Sequence, residues 1–234
     1  MVAVVLARGG SRRIPKKNSR DFLGHPIIAR TVGHLRKANT FAKIFVSSDS
    51  PDIEAIAVNS GAETIGLRPA YLSRGEVGTN EVMGFVADQL ATLGYAESTQ
   101  VCCVYATSVM VTSQSFVSSG SFSLLYPHAV TMAYTRLVGS RLRPYEEREG
   151  QLRLVSQDSA LVGTQDLGRL AVDAGQFYWG SLEVWRRQPV SGDADLMGFL
   201  LPPWESIDID EYEDWALAEL VFAGRESLKN RATF

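Results

Sequence analysis

The sequence predicts an α/β fold, a three-layer α/β/α sandwich around a mostly parallel sheet. The chain has 234 residues, which suits one large α/β domain. It opens with a short apolar run rich in β-branched residues, Val2–Ala7, typical of a strand buried on both faces. Patterns typical of a helix, a strand and a short helix follow in turn, up to Gly61. This alternation favours a parallel sheet with helices on both faces.

The remaining elements follow from periodicity and from turn residues. Pro26 suits the first position of a helix, and apolar residues recur at helical spacing after it. A strand at 42–47 and a helix at 52–60 come next, and Gly61 suits the end of that helix. The later predictions are strands at 63–66, 101–105, 129–135 and 174–179, and helices at 79–93, 115–126 and 211–222.

Residues 136–168 have a different composition. They are polar and glycine-rich, and their one short alternating run is 151–155. We therefore interpret the chain as a single domain, 1–234, with an inserted hairpin arm at about 136–170.

Charge and cysteine content narrow the class of protein. The net charge of −3 gives no general support for nucleic-acid binding, and no window is long and apolar enough to span a membrane. Cys102 and Cys103 are adjacent in an apolar run, so on a strand they would point to opposite faces as buried free thiols. Such thiols suit a reducing compartment, and we expect a cytoplasmic location.

A glycine turn with clustered cations follows the first predicted strand. Gly9 and Gly10 permit a tight turn and a close approach of the backbone to a ligand. Five cations lie within the same short stretch, namely Arg8, Arg12, Arg13, Lys16 and Lys17. Exposed amides and cations after a strand suit a polyphosphate, although a solvated basic loop would give the same pattern. The loop matches neither a Walker A motif nor the G-x-G-x-x-G of dinucleotide folds.

The loop sequence A-R-G-G-S-R-R-I-P-K-K-N resembles the signature of the CMP-sialate synthetase family, cytidylyltransferases that activate nine-carbon acidic sugars. Further matches follow in the family's order: S-S-D at 47–49, L-R-P-A-x-L-S at 67–73, D-A-G-Q-F-Y-W at 173–179 and I-D-I-D at 207–210. The D-A-G-Q-F-Y-W segment is most similar to the pseudaminic acid branch. The resemblance implies a nucleotide-diphospho-sugar transferase fold of Rossmann-like type, with an arm that reaches across a homodimer.

The resemblance also implies a reaction and its residues. A sugar hydroxyl attacks the α-phosphorus of CTP, pyrophosphate leaves, and Mg²⁺ assists. Arg12, Asp208 and Asp210 are the candidate catalytic residues, and the two aspartates would hold the metal. The candidate nucleotide-binding residues are Ala7, Arg8, Gly9, Gly10, Ser11, Arg12, Lys17, Asn18, Arg68, Ser73, Thr79 and Tyr105, and those for the sugar are Asp173, Gln176 and Tyr178.

Local patterns leave alternatives for several of these residues. Asp208 and Asp210 alternate with isoleucines, so on a strand both carboxylates would share a face, but Asp210 also suits the N-cap of the last helix. Thr79 lies at a predicted helix start and could equally be a cap. Arg68 precedes a turn proline and could be an ordinary surface arginine. Alternation places Gln176 with Tyr178 on one face of a strand, towards an acidic sugar, and Phe177 with Trp179 in the core.

Five positions depart from the family pattern. Arg12 replaces a usual lysine, Ala106 and Val109 replace the two prolines of a turn, Gly163 replaces an arginine and Val172 a histidine. These departures keep two alternatives open. One is CMP activation of another acidic keto-sugar, such as legionaminate, sialate or 3-deoxy-octulosonate. The other is a non-catalytic nucleotide-binding descendant of the family.

Overall fold

A computed structural model describes residues 1–136, 145–148, 151–154, 170–187 and 195–231. Its main element is a seven-stranded sheet. The strands of this sheet are β1 (Val2–Ala7), β4 (Lys43–Ser48), β5 (Glu63–Thr64), β6 (Gln100–Tyr105), β7 (Val130–Arg136), β10 (Ala171–Ser181) and β11 (Leu196–Leu200). Their order across the sheet is β11-β7-β10-β6-β1-β4-β5. Two short antiparallel pairs complete the strands, β2 (Asp21–Phe22) with β3 (His25–Pro26) and β8 (Tyr145–Arg148) with β9 (Gln151–Leu154).

The sheet is mostly parallel, as predicted. β1 runs parallel to β4 and β6, β4 runs parallel to β5, and β11 runs parallel to β7. β10 is antiparallel to both of its neighbours, β6 and β7. The carboxyl ends of β1, β4 and β6 therefore meet at one edge of the sheet, where ligands of open α/β sheets bind.

Helices cover both faces of the sheet, which confirms the three layers. On one face, α1 (Ile27–Ala38), α2 (Pro51–Asn59) and α4 (Ser113–Ser123) pack against a core that includes Cys102. On the other, α3 (Thr79–Thr92) and α5 (Leu182–Arg186) pack against a core that includes Cys103. Both thiols are free and fully buried, as predicted. None of the helices within the described ranges is long and apolar enough to cross a membrane.

A third, smaller core lies under the glycine loop. Ile14 from the loop, Ile209 from the chain before the last helix, and Trp215 from α6 (Tyr212–Arg231) are all buried in it. This cluster holds the amino-terminal loop against the segment that carries Asp208 and Asp210.

Several sequence predictions need correction. Residues 206–210 are irregular backbone and not a strand, so the shared-face argument for Asp208 and Asp210 fails. α6 is longer than predicted, and Pro26 precedes α1 as its N-cap instead of opening it. Most of the predicted arm, including Gly163, lies outside the described residues.

Candidate nucleotide site

A cavity of about 740 Å³ opens at the carboxyl ends of β1 and β6. Its walls are formed by the glycine loop, the turn before α3 and the two aspartates, which come from distant parts of the chain. Twelve of the predicted site residues line it: Ala7, Arg8, Ser11, Arg12, Lys17, Asn18, Arg68, Ser73, Thr79, Tyr105, Asp208 and Asp210. Gly9 and Gly10 complete the loop between Arg8 and Ser11.

Two side chains, those of Asp49 and Asn18, hold the glycine loop through hydrogen bonds. The amide of Gly9 donates to Oδ1 of Asp49, 2.8 Å away, at the end of β4. The buried side chain of Asn18 donates to the carbonyl of Arg8 across 2.9 Å. A side chain at Gly9 would approach Cβ of Ser50 to 3.2 Å, so this glycine permits a close approach of two chain segments. Asp49 is a site residue that the sequence predictions missed, although it belongs to the quoted S-S-D motif.

Cations from the loop engage the second aspartate. Nζ of Lys17 lies 3.1 Å from Oδ1 of Asp210 and donates to the carbonyl of Ile209 across 2.6 Å. Arg13, which the site predictions omitted, forms an ion pair with the same oxygen at 2.8 Å. Burial by itself would raise the pKa of Asp210, but Lys17 and Arg13 hold the pKa below its ordinary value. The carboxylate therefore stays ionised. The N-cap alternative for Asp210 is wrong, because the last helix begins at Tyr212 and the residue before it is Glu211.

Asp208 has the opposite electrostatic environment. Burial of its carboxyl group, with the nearby charge of Asp210, raises its pKa to about 6. Lys17 opposes this shift only in part. Two neighbouring carboxyl groups, one of which has a raised pKa, form a local environment that a bound cation would relieve.

The two aspartates fit a magnesium site. Mg²⁺ is usually bound through one or two carboxylates together with substrate phosphates and water, so it needs no complete protein cage. Among the described residues no cluster of three or more acidic, histidine or cysteine side chains could hold a metal. The two aspartates at the cavity are donors of the kind that Mg²⁺ accepts when phosphate oxygens and water complete its coordination.

Two residues that line the cavity carry buried polar atoms without hydrogen-bond partners. Arg68 is only 7% exposed, so its alternative as a surface residue is wrong. One of its terminal nitrogens donates to the carbonyl of Ser47 across 2.8 Å, while its Nε is buried and unpaired. The hydroxyl of Ser73 is likewise buried and unpaired. Burial lowers the pKa of Arg68, which Asp49 opposes. Buried donors without partners are costly, so a polar ligand group would satisfy them.

The hydroxyl groups of two lining residues, Thr79 and Tyr105, lie close together. Oγ1 of Thr79 lies 2.6 Å from the hydroxyl of Tyr105, and Gly78 instead of Thr79 is the N-cap of α3. The capping alternative for Thr79 is therefore wrong. The rings of Tyr105 and Tyr178 meet edge-on at 5.9 Å, and Tyr178 donates to Oδ2 of Asp173 across 2.6 Å. Burial raises the pKa of Tyr105 to about 12, so this hydroxyl keeps its proton.

The three predicted sugar residues are not among those that line the cavity. Asp173 and Tyr178 bond to each other beside Tyr105. Gln176 is 1% exposed and bonds to backbone carbonyls, while Phe177 and Trp179 are fully buried, as predicted. Pairing of β10 with β7 breaks between Asp173 and Tyr178, so simple alternation did not predict the burial of Gln176.

The comparisons with known proteins agree with this geometry. Residues 2–118, half of the chain, match the family described as cytidylyltransferase. The pseudaminic acid cytidylyltransferase of Campylobacter jejuni serotype O:2 is 25% identical over 94% of this chain and 95% of its own. The CMP-N,N'-diacetyllegionaminic acid synthase of Legionella pneumophila is 38% identical, over 38% of each chain.

A solved structure shares the fold. CMP:2-keto-3-deoxy-manno-octonic acid synthetase, complexed with CTP, superposes with a TM-score of 0.68 at 14% identity, covering 96% of this chain and 98% of that one. This likeness supports the Rossmann-like nucleotidyltransferase fold that the resemblance implied. The match over residues 2–118 shows that the chain belongs to the cytidylyltransferase family.

Proposed function

We propose that the protein transfers CMP from CTP to the anomeric hydroxyl of a nonulosonic acid, pseudaminic acid being the preferred one, and releases pyrophosphate. One observation carries the proposal: a basic glycine loop, a buried arginine and two aspartates converge on a single cavity. The pseudaminic acid assignment is supported by relatives that align over nearly the whole chain.

The residues have separable roles in this reaction. Arg8, Arg12 and the loop amides neutralise and orient the triphosphate, since phosphoryl transfer depends on positioning and charge stabilisation. Arg68 and Ser73 face the base, with donors that match a carbonyl oxygen of cytosine. Asp208 and Asp210 hold Mg²⁺, which when bound supplies charge stabilisation at the phosphates. Lys17 keeps Asp210 ionised and oriented.

We also propose that the protein is a homodimer.

A second sugar class has specific support. The legionaminic acid relative is 38% identical over the 90 residues that align, a higher local identity than the full-length pseudaminic acid relatives reach. Legionaminate is therefore the first alternative substrate, ahead of sialate and 3-deoxy-octulosonate.

The deciding experiment measures pyrophosphate release from CTP with Mg²⁺ across pseudaminate, legionaminate, sialate and 3-deoxy-octulosonate. We expect the highest kcat/KM with pseudaminate and no release by Asp208→Ala or Asp210→Ala. Binding of CTP without pyrophosphate release from any of the four sugars would favour the non-catalytic alternative. Faster turnover with legionaminate would reassign the substrate and leave the chemistry intact.

A further inference from the structure

Gln176 connects the β10 bulge to the segment that carries the two aspartates. Its side chain is 1% exposed, and its Nε2 donates to the carbonyl of Ala174 across 2.9 Å and to the carbonyl of Ile207 across 3.0 Å. Both amide protons are thus used by backbone, and one of them fixes the residue immediately before Asp208. A side chain in this arrangement has no free donor for a sugar.

The neighbouring glycine lies against Asp208 itself. Gly175 has a φ of +61°, and a Cβ built there would lie 2.6 Å from Oδ2 of Asp208. The Asp208 carboxylate therefore occupies the space that any other residue at 175 would fill. The D-A-G-Q segment therefore contributes to the placement of Asp208 in two ways. Gly175 leaves room for the carboxylate, and the amide of Gln176 holds the preceding residue, Ile207.

The aspartate segment needs such support because it has no sheet pairing. Residues 206–210 are irregular, so no strand ladder fixes the direction of their side chains. Further along, Lys17 donates to the carbonyl of Ile209, and Oδ2 of Asp214 accepts from the amide of Asp210. These bonds hold the Asp210 end, whereas the bond to Ile207 holds the Asp208 end.

We propose that Gln176 is a positioning residue that fixes the Asp208 carboxylate for the nucleotide-bound metal by bonding to the carbonyl of Ile207. This inference rests on the proposed function and replaces the sequence prediction that Gln176 binds the sugar. Groups that orient a metal ligand from outside typically change metal affinity by about 10–100-fold when removed.

The test compares Gln176→Met with a matched control, Gln89→Met. Gln89 also donates from Nε2 to a backbone carbonyl, that of Ile65, at 3.0 Å, and it does not line the cavity. Methionine keeps much of the length of glutamine and removes the donor. The first readout is Mn²⁺ binding, measured with CTP present and no sugar. Binding is followed by the decrease in the electron paramagnetic resonance signal of free Mn²⁺. The second is turnover with Mg²⁺ and sugar varied separately.

For Gln176→Met we expect the Kd for Mn²⁺ and the Mg²⁺ concentration for half-maximal rate to rise about tenfold. The sugar KM should stay within about twofold of wild type, and saturating Mg²⁺ should restore most of the rate. Gln89→Met should match wild type in both metal readouts. Should Gln176→Met fail to fold, Gly175→Ala tests the same carboxylate and should show the same weakening of metal binding.

Two results would overturn the inference. A raised sugar KM with unchanged Mn²⁺ binding would return Gln176 to the sugar site, and equal metal affinity in wild type, Gln176→Met and Gly175→Ala would leave it a purely structural residue. If wild type itself bound no Mn²⁺ with CTP, the metal assignment and the inference would fall together. Normal metal behaviour without transfer to any sugar would contradict the proposed function alone.

Discussion

Neighbouring carboxyl groups at the cavity differ in pKa because their surroundings differ. Asp210 faces Arg13 and Lys17 and stays ionised, whereas burial and the charge of Asp210 raise the pKa of Asp208. Without a bound cation, the ionised Asp208 carboxylate lowers the stability of the folded state at neutral pH, because its surroundings favour the protonated carboxyl group.

Asp208→Asn should therefore stabilise the metal-free protein at pH 7.5. The folded pKa of about 6 lies above the ordinary 3.8, so the folded state binds more protons between these values. The free energy of unfolding of wild type then falls as the pH rises from about 4 to about 6. Although burial raises its pKa, part of the Asp208 residue stays open to solvent, so screening should limit the gain to about 1 kcal/mol or less. Urea unfolding in EDTA should show this gain at pH 7.5 and none at pH 4, and an equal gain at both would refute the electrostatic cause.

Asp49 accepts a hydrogen bond from the Gly9 amide and so holds the glycine loop. Asp49→Ala removes the acceptor and the charge beside Arg68, so we expect the CTP KM to rise by about tenfold, the worth of a hydrogen bond to a charged group. Asp49→Asn keeps an acceptor oxygen and should show a smaller rise. Steady-state kinetics with saturating sugar measure both variants, and an unchanged CTP KM in Asp49→Ala would show that the loop holds its shape without this bond.

Among the elements, the short turn Pro203–Glu205 links the site to helix α4. The buried carboxylate of Glu205 accepts from the amide of Thr112 at 3.0 Å and from the hydroxyl of Ser115 at 2.6 Å. Thr112 is the N-cap of α4, so Glu205 adds an anion at a helix amino terminus. The turn that leads into the aspartate segment is thereby anchored to a core helix.

Removal of this anchor should destabilise the whole protein. Glu205→Ala leaves the half-buried amide of Thr112 without its acceptor and loses a charge-assisted bond, a cost of about 2–3 kcal/mol in the free energy of unfolding. Glu205→Gln, which can still accept from the amide, should lose less. Denaturant unfolding followed by circular dichroism gives both values, and a loss in Glu205→Ala below about 0.5 kcal/mol would mean that water replaces the carboxylate.

For the whole molecule, the cavity is formed by elements from both ends of the chain, and nucleotide binding should stabilise all of them together. Loop 8–18, the turn before α3 and residues 208–210 share its walls. A ligand that binds only the folded state raises the free energy of unfolding by about 2.7 kcal/mol at a hundred times its Kd.

CTP should therefore raise the melting temperature more than UTP at equal concentration. The unpaired donors of Arg68 and Ser73 can bond to a carbonyl oxygen of either cytosine or uracil. Discrimination between CTP and UTP must therefore come from the amino group of cytosine and the acceptors that it meets. Thermal unfolding with each nucleotide, without sugar, measures the difference. Arg68→Met should lose the increment for both nucleotides, and an equal shift with CTP and UTP would argue against a cytidine-selective pocket.

Local patterns predicted much of this architecture and only part of the site. Apolar runs identified β1, β4 and β6, and the parallel arrangement then brought the glycine loop to the correct edge of the sheet. The antiparallel direction of β10 relative to β6 and β7 depends on the order of strands in the sheet, and no local sequence pattern encodes that order. The buried position of Arg68 and the inward turn of Gln176 arise from a tertiary pocket and a bulge. For such residues, sequence spacing gives the segment but not the direction of the side chain.

The adjacent cysteines on β6 provide a chemical reporter of conformational opening. One thiol belongs to each core, and both are free and shielded from solvent. An irreversible alkylating reagent such as iodoacetamide can react with Cys102 only after helices α1, α2 and α4 separate from the sheet, and with Cys103 only after α3 and α5 do. If the molecule opens as one cooperative unit, the two thiols react at the same rate, and that rate falls when CTP is added. Unequal rates, assigned by mass spectrometry with isotopically distinct labels, would identify the layer that opens first.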